Sequence, residues 1–241
     1  MTLEGKVGIV TGAGRGIGRA VALALAHKGA KVVICSRTSE DLDRLAREID
    51  PAGRNVLAVR ADVSREEDVR KMVDAAAAKF SAVDILVNNA GIGAFGSVAS
   101  LAVADFDRMW QVNMRGVFLC TRAVLPLMIA RRSGDILNMA SLAGRNAFVG
   151  GAGYCATKWA LVGFGRSLML EVREHDIRVI TLCPGSVATG FGGDSPRESP
   201  RSSGAIPSAA DIAQVVVDTL AMPRHVMVSE VDIRPTNPKK G

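Results

Sequence analysis

Short β-branched runs alternate with longer amphipathic ones along the chain. Val7–Val10 reads as a strand, followed by a glycine-rich turn and a helix from about Ile17 to Lys28. Lys31–Cys35 is a second strand, and Ser39 is placed to cap a helix carrying Leu42, Leu45 and Ile49. Asn55–Arg60 is a third strand. Ser64 with Glu67 forms a capping-box pattern opening a helix that runs to about Phe80. Asp84–Asn88 is a continuous apolar run of the kind found in sheets covered on both faces. A long helical region from about Ala104 to Arg131 precedes the strand Asp135–Met139. A helix over roughly Ala152–Glu174 precedes the strand Ile177–Leu182. Asp211–Leu220 is helical, and Val226–Ile233 is a last strand.

This alternation predicts the α/β class: one Rossmann-like, doubly wound parallel sheet of about seven strands, with helices on both faces. Residues 1–241 form a single domain without internal repeats. The segment 186–208, rich in Gly, Ser and Pro and without periodicity, is expected to be a substrate lid.

Composition excludes more than it selects. With 48% hydrophobic and 22% charged residues the chain is ordinary for a globular protein, and its formal charge of +6 is scattered rather than clustered. That argues for weak attraction to anions, polyanionic cofactors included, and against a nucleic-acid binder. Cys35, Cys120, Cys155 and Cys183 lack CxxC spacing, and His27, His175 and His225 lack metal-ligand spacing, so no metal is expected. Met1–Lys6 enters a strand-like run without a signal-peptide pattern, and no apolar stretch reaches about 18 residues. The expectation is a cytoplasmic protein without a membrane partner.

Ligands of doubly wound sheets sit beyond the carboxyl ends of the strands. The first such end carries Thr11-Gly12-Ala13-Gly14-Arg15-Gly16-Ile17-Gly18. Glycines there permit a tight turn and close backbone approach, and free N–H groups at the helix start can face a pyrophosphate. The literal GxGxxG fingerprint is absent, because its sixth position is Ile17. NAD-binding folds place an acid about 20 residues on, at the end of the second strand, whereas this chain has Ser36-Arg37-Thr38. A carboxylate would repel a 2′-phosphate; Ser36 and Arg37 can donate to it, and Arg15 adds a cation, so NADP(H) is the expected cofactor.

In these motifs, taken in order, the chain resembles the short-chain dehydrogenase/reductase family along its whole length. The turn has that family's Thr-Gly-x-x-x-Gly-x-Gly form with Gly12, Gly16 and Gly18. Asp62-Val63 resembles its adenine-contacting pair, and Asn88-Asn89-Ala90-Gly91 its sheet-supporting, cofactor-lining element. Asn113, Ser141, Tyr154 and Lys158 match its catalytic tetrad. Pro184, Gly185, Val187 and Thr189 lie in the segment matching the one that embraces the nicotinamide. The resemblance further implies that Lys158 grips the nicotinamide ribose, that Asn113 holds a water linking Lys158 to solvent, and that the protein is a homodimer or homotetramer. Leu119, Val124, Leu127 and Met128 exceed what one buried helix face needs, which agrees with subunit pairing. The ending Ser229–Thr236 departs from the family's Val-Asp-Gly-Gly and resembles a branch acting on small hydroxy acids and assorted carbonyls.

The chemistry follows from the residues. Tyr154 and Lys158, four apart, share a helix face. A fixed ammonium favours the phenolate and is expected to lower a phenol that ordinarily titrates near 10. Tyr154 can then exchange a proton with an alcohol/carbonyl oxygen while Ser141 hydrogen-bonds that oxygen. The expected activity is that of an NADP(H)-dependent carbonyl reductase or alcohol dehydrogenase on a small molecule. The alternatives are a 3-oxoacyl-thioester (acyl-carrier-protein) reductase, a small hydroxy-acid dehydrogenase, and a catalytically idle NADP(H)-binding sensor. Arg197 and Arg201 could meet a carboxylate or an acidic carrier.

Overall fold

The computed structural model describes residues 3–191 and 206–237. Its strands are β1 (Val7–Thr11), β2 (Lys31–Ser36), β3 (Val56–Arg60), β4 (Ile85–Asn88), β5 (Gly134–Met139), β6 (Ile177–Pro184) and β7 (Glu230–Ile233). All pair in parallel as one sheet ordered β3-β2-β1-β4-β5-β6-β7. The helices are α1 (Gly16–His27), α2 (Ser39–Ile49), α3 (Glu66–Phe80), α4 (Val103–Trp110), α5 (Gly116–Arg131), α6 (Ala152–Val172) and α7 (Ala209–Leu220).

Side chains alternate across each strand, so the apolar runs serve two cores. Val10, Val32, Ile34, Val87, Leu137 and Ile180 face one side, against Leu25 of α1, Leu42 of α2 and Val216 of α7. Ile9, Val33, Leu86, Ile136 and Val179 face the other, against Met72 of α3, Val124 and Met128 of α5 and Leu168 of α6. The strand order reverses between β1 and β4, which opens the crevice of a doubly wound sheet beyond their carboxyl ends.

Several local expectations are corrected. Ser39 is the first residue of α2 rather than its cap; Thr38 holds that position and no side chain caps it. The Ser64/Glu67 capping box does not form either, because Ser64 Oγ donates to Asp62 at 2.6 Å and Arg65 becomes the N-cap. A capping box does close at Ser208 and Asp211, opening α7. The last strand is shorter than the apolar run, since Val226 N donates to Pro223 O in a turn. Leu119, Val124 and Met128 are buried in the protein's own core, and Leu127 packs partly buried against it.

The helix predicted over 104–131 is interrupted by a π turn at Gln111–Arg115. The continuous run Val103–Arg131 is long and apolar enough to cross a membrane by length and composition, although no uninterrupted apolar stretch marks it in the sequence. Half of its most apolar window is buried inside the fold, the position of a core helix.

At the amino ends of β5 and β6, Arg178 donates to Asp135 at 2.6 Å and to the carbonyls of Leu220, Met222 and Val226. Arg224 donates to both Asp135 oxygens at 2.9 and 3.0 Å. This buried cluster pins the exit of α7 to the sheet edge, opposite the crevice.

Candidate active site

The turn after β1 lies at the strand-order reversal. Gly12 adopts φ +65°, and a β-carbon there would stand 2.8 Å from the Ala90 backbone. A β-carbon on Gly18 would collide with the Gly12 carbonyl. Asn89 braces the turn from β4, its amide donating to Thr11 O at 2.9 Å, while Thr11 Oγ1 accepts from the Asn89 and Ala90 N–H groups. Arg15 is the N-cap of α1 and makes no side-chain capping bond, and the helix has no acid in its first turn. The start of α1, with Gly16 and Ile17, thus presents uncapped N–H groups at the positive end of the helix dipole.

Ser36 and Arg37 end β2 beside this turn. A β-carbon on Gly14 would lie 3.2 Å from both Ser36 Oγ and Asp41 Cβ. The sequence places no acid at the strand end, yet the fold brings Asp41 of α2 against the turn; its carboxylate is 3.6 Å from Arg44. Arg60, paired in register with Ser36, donates to the Arg37 carbonyl at 3.1 Å and adds a cation that linear spacing does not reveal.

Asp62 and Val63 follow β3, and their side chains are largely committed within the protein. Burial alone would raise the Asp62 carboxyl, but hydrogen bonds from Ser64 and Arg108 hold it down at about 2. Val63 packs into the core against Gly116, whose missing β-carbon would stand 2.8 Å from Val63 Cγ2. The Asp62 carboxylate sits on Arg108 of α4, a partner without a spacing signal.

The four candidate catalytic residues converge at the carboxyl ends of β4, β5 and β6. Tyr154 and Lys158 share a face of α6, with Lys158 Nζ 5.7 Å from the phenol ring centroid. Lys158 is buried and donates to Met139 O at 2.8 Å; desolvation lowers its ammonium to about 8. Burial raises the Tyr154 phenol to about 12, opposed by the neighbouring Ser141 hydroxyl. In the free protein the Tyr154 shift therefore runs upward, opposite to the lowering expected from Lys158, because burial disfavours the charged phenolate. At neutral pH Tyr154 is protonated, the form that donates to an oxygen.

Ser141 is extended (φ −173°) and opens a 3₁₀ turn, Leu142–Gly144, accepting from Ala143 N at 3.1 Å. Gly144 permits this placement: a β-carbon there would be 2.7 Å from Lys158 O on α6. Asn113, in the π turn, accepts from Ile92 N and donates to Ile92 O, each at 2.9 Å, and donates to Thr157 Oγ1 at 3.1 Å. Thr157 in turn donates to Tyr154 O at 2.8 Å. The Asn113 side chain is thus a clamp between the β4 loop and α6. Thr157 and Gly144 are positioning residues that no spacing rule marks.

Gly91 completes the floor: a β-carbon there would lie 3.5 Å from Asn113 Oδ1 and 3.7 Å from Lys158 Nζ. Past β6, Gly185 N donates to Ile233 O, Val187 packs on the core, and Ala188 bridges to Ser208. Thr189 comes within 3.6 Å of a β-carbon placed on Gly16, facing the phosphate turn across the crevice. Residues 192–205 of the expected lid, with Arg197 and Arg201, lie outside the described residues. The crevice runs from an uncapped helix start, along Gly14 and Gly91, to Lys158 and Tyr154, and it fits an extended dinucleotide. Among the described residues no cluster of three His, Cys, Asp or Glu could hold a metal.

Comparison with known proteins agrees with this geometry. The family model "short chain dehydrogenase" matches residues 6–199. A 3-oxoacyl-[acyl-carrier-protein] reductase of Synechocystis is 39% identical over 188 residues, 78% of this chain and 76% of that protein. An alcohol dehydrogenase from the archaeon Thermococcus sibiricus, complexed with 5-hydroxy-NADP, superposes with a TM-score of 0.90 at 31% identity, covering 98% of this chain and 99% of that one. A 3-ketoacyl-(acyl-carrier-protein) reductase from Brucella melitensis complexed with NADH gives 0.88 at 36% identity, with coverage of 98% and 99%. A family match over most of the chain, with relatives and solved structures that share its length and fold, shows that this protein belongs to the short-chain dehydrogenases, oxidoreductases that use a nicotinamide dinucleotide.

Proposed function

We propose that the protein is a cytoplasmic NADP(H)-dependent carbonyl reductase/alcohol dehydrogenase in which Tyr154 is the acid/base. The observation that carries this reading is a buried Tyr154 with Lys158 on the same helix face, its Nζ 5.7 Å from the phenol ring centroid, in the crevice at the carboxyl end of β5. Bound NADPH supplies the hydride to the carbonyl carbon. Tyr154 delivers its proton to the carbonyl oxygen, giving the alcohol, and takes it back in the reverse direction. Ser141 donates a hydrogen bond to the same oxygen as charge develops. Lys158 holds the nicotinamide ribose and favours the phenolate left on Tyr154. The uncapped start of α1 takes the pyrophosphate, and Ser36 and Arg37, with Arg15 and Arg60, receive the 2′-phosphate. Pro184, Gly185, Val187 and Thr189 line the nicotinamide end.

The test is a panel of carbonyls scored by NADPH oxidation, followed by Tyr154→Phe. The variant should lose about 10²–10⁴-fold in kcat while titrating NADPH as the parent does. Retention of more than about a tenth of kcat where chemistry limits turnover removes Tyr154 from the role.

The Synechocystis relative favours a second reading, reduction of a 3-oxoacyl thioester, and a carrier-linked substrate in the same panel separates the two. An NADP(H) sensor would bind the cofactor and turn over nothing. A homodimer or homotetramer is supported by exposed apolar side chains on α5 (Phe118, Ile129) and α6 (Trp159, Leu170). A monomer by light scattering at micromolar concentration refutes that assembly.

A further inference from the structure

Aromatic residues are scarce in this chain, yet two of its seven phenylalanines pack on its one tyrosine and a third packs on one of those two. Phe95 meets the Tyr154 ring edge-on at 5.5 Å between centroids, and Phe191 lies at 5.8 Å. Phe148 packs on Phe95 at 5.9 Å. These rings come from three separate segments, the loops after β4 and before α6 and the chain after β6. Two glycines make room for them. A β-carbon on Gly93 would stand 2.9 Å from Phe95 and 3.1 Å from Phe191, and one on Gly151 would stand 2.5 Å from Phe148. Gly96 N donates to Gly150 O at 2.9 Å, tying the Phe95 loop to the Phe148 loop.

Each of the three rings is about half exposed, at 47–49%, and the neighbouring Val149 is fully exposed. Apolar surface of this kind beside a reactive hydroxyl gains by being covered. Arg145, three residues before Phe148, does not offer a counter-charge, since its guanidinium is held by Asp232 at 3.1 Å and by Glu230. A carbonyl whose oxygen meets Tyr154 must lay its substituents against these rings.

Resting on the carbonyl-reductase reading, we infer that Phe95, Phe148 and Phe191 form an aromatic wall that selects a neutral aryl ketone or aldehyde. The reaction is ArC(=O)R plus NADPH plus a proton giving ArCH(OH)R and NADP⁺. The hydride goes to the carbonyl carbon, and the proton comes from Tyr154, which is reprotonated from solvent. Edge and face contacts with the rings supply the preference over a short alkyl ketone, and among the described residues the wall offers no free cation to an incoming carboxylate.

The test compares acetophenone, butanone and phenylglyoxylate by kcat/KM with NADPH. Covering a phenyl ring instead of butanone's ethyl group is worth roughly 10-fold, so acetophenone should exceed butanone by about that factor and should also exceed the anion. Phe95→Ala and Phe148→Ala should each shrink the acetophenone/butanone ratio several-fold, with Phe148→Leu intermediate. Both side chains are half exposed, so circular dichroism and NADPH titration should report folded protein. Calorimetric binding of 1-phenylethanol against 2-butanol to the NADP⁺-loaded Tyr154→Phe variant, in which oxidation is suppressed, gives a readout separate from turnover. Equal kcat/KM for the two ketones, or a ratio indifferent to both alanine variants, overturns the aromatic wall and leaves the carbonyl-reductase reading standing. Preferred binding of 1-phenylethanol without turnover of any carbonyl supports the wall and overturns the catalytic reading.

Discussion

Lys158 carries a charge in a place that suits its chemistry and penalises the fold. Its ammonium is buried, with Met139 O as its hydrogen-bond acceptor, and it titrates near 8 instead of 10.5. Between those pH values the unfolded chain binds one proton more than the folded one, so raising the pH favours the folded state. Below pH 8 both states hold the proton and the full penalty applies. At 1.36 kcal/mol per pH unit the difference amounts to about 3 kcal/mol. Lys158→Met keeps the length of the side chain and removes the titration. It also leaves Met139 O without this donor, a cost on the order of 1–3 kcal/mol that does not depend on pH. The pH dependence of the stability difference is therefore the quantity to measure. Urea unfolding of both proteins at pH 7, 8.5 and 10 should show the parent gaining up to about 3 kcal/mol relative to the variant. Most of that gain should fall above pH 8. A difference constant across this range would mean that Lys158 is not desolvated, and the account of its buried charge would be wrong.

Three further outcomes are expected. Ser36→Asp should shift relative affinity, followed by nicotinamide fluorescence, from NADPH toward NADH; equal affinities in the parent, or no relative gain for NADH in the variant, would refute the 2′-phosphate assignment. Asp135→Ala strands Arg178 in the interior and should cost about 3–5 kcal/mol in urea unfolding, whereas a loss under 1 kcal/mol would mean that the Leu220, Met222 and Val226 carbonyls suffice. Gly144→Ala forces a methyl group onto the α6 backbone and should destabilise by about 1–3 kcal/mol while lowering kcat through displacement of Ser141; unchanged kcat would remove Gly144 from its positioning role.

The sequence by itself determined the sheet and the places where its chemistry had to fall. Strand runs in a sheet covered on both faces are apolar throughout, so Val7–Val10, Lys31–Cys35 and Asp84–Asn88 stand out without any tertiary information. Alternation with helices leaves parallel crossovers as the consistent topology, and strand ends then locate Gly12–Gly18, Ser141 and Tyr154 in one crevice. Caps were less legible: Ser39 and Ser64 have the right residue type, but Ser64 finds a better acceptor in Asp62, and neighbour competition of that kind is not encoded in spacing.

What only the tertiary structure decided are the features made by residues distant in sequence. Arg60 reaches Arg37 because two strands pair in register, and Asp41 reaches Gly14 because α2 folds back over the turn. The Phe95–Phe148–Phe191 cluster assembles from three segments that share no periodicity. The ionisation of the catalytic pair belongs to the same class. A Tyr and a Lys four apart predict attraction between their charges, but the sign of the Tyr154 shift is set by how much water the fold removes. Desolvation depends on every atom packed around the phenol, a property of the assembled core and not of the spacing along the helix.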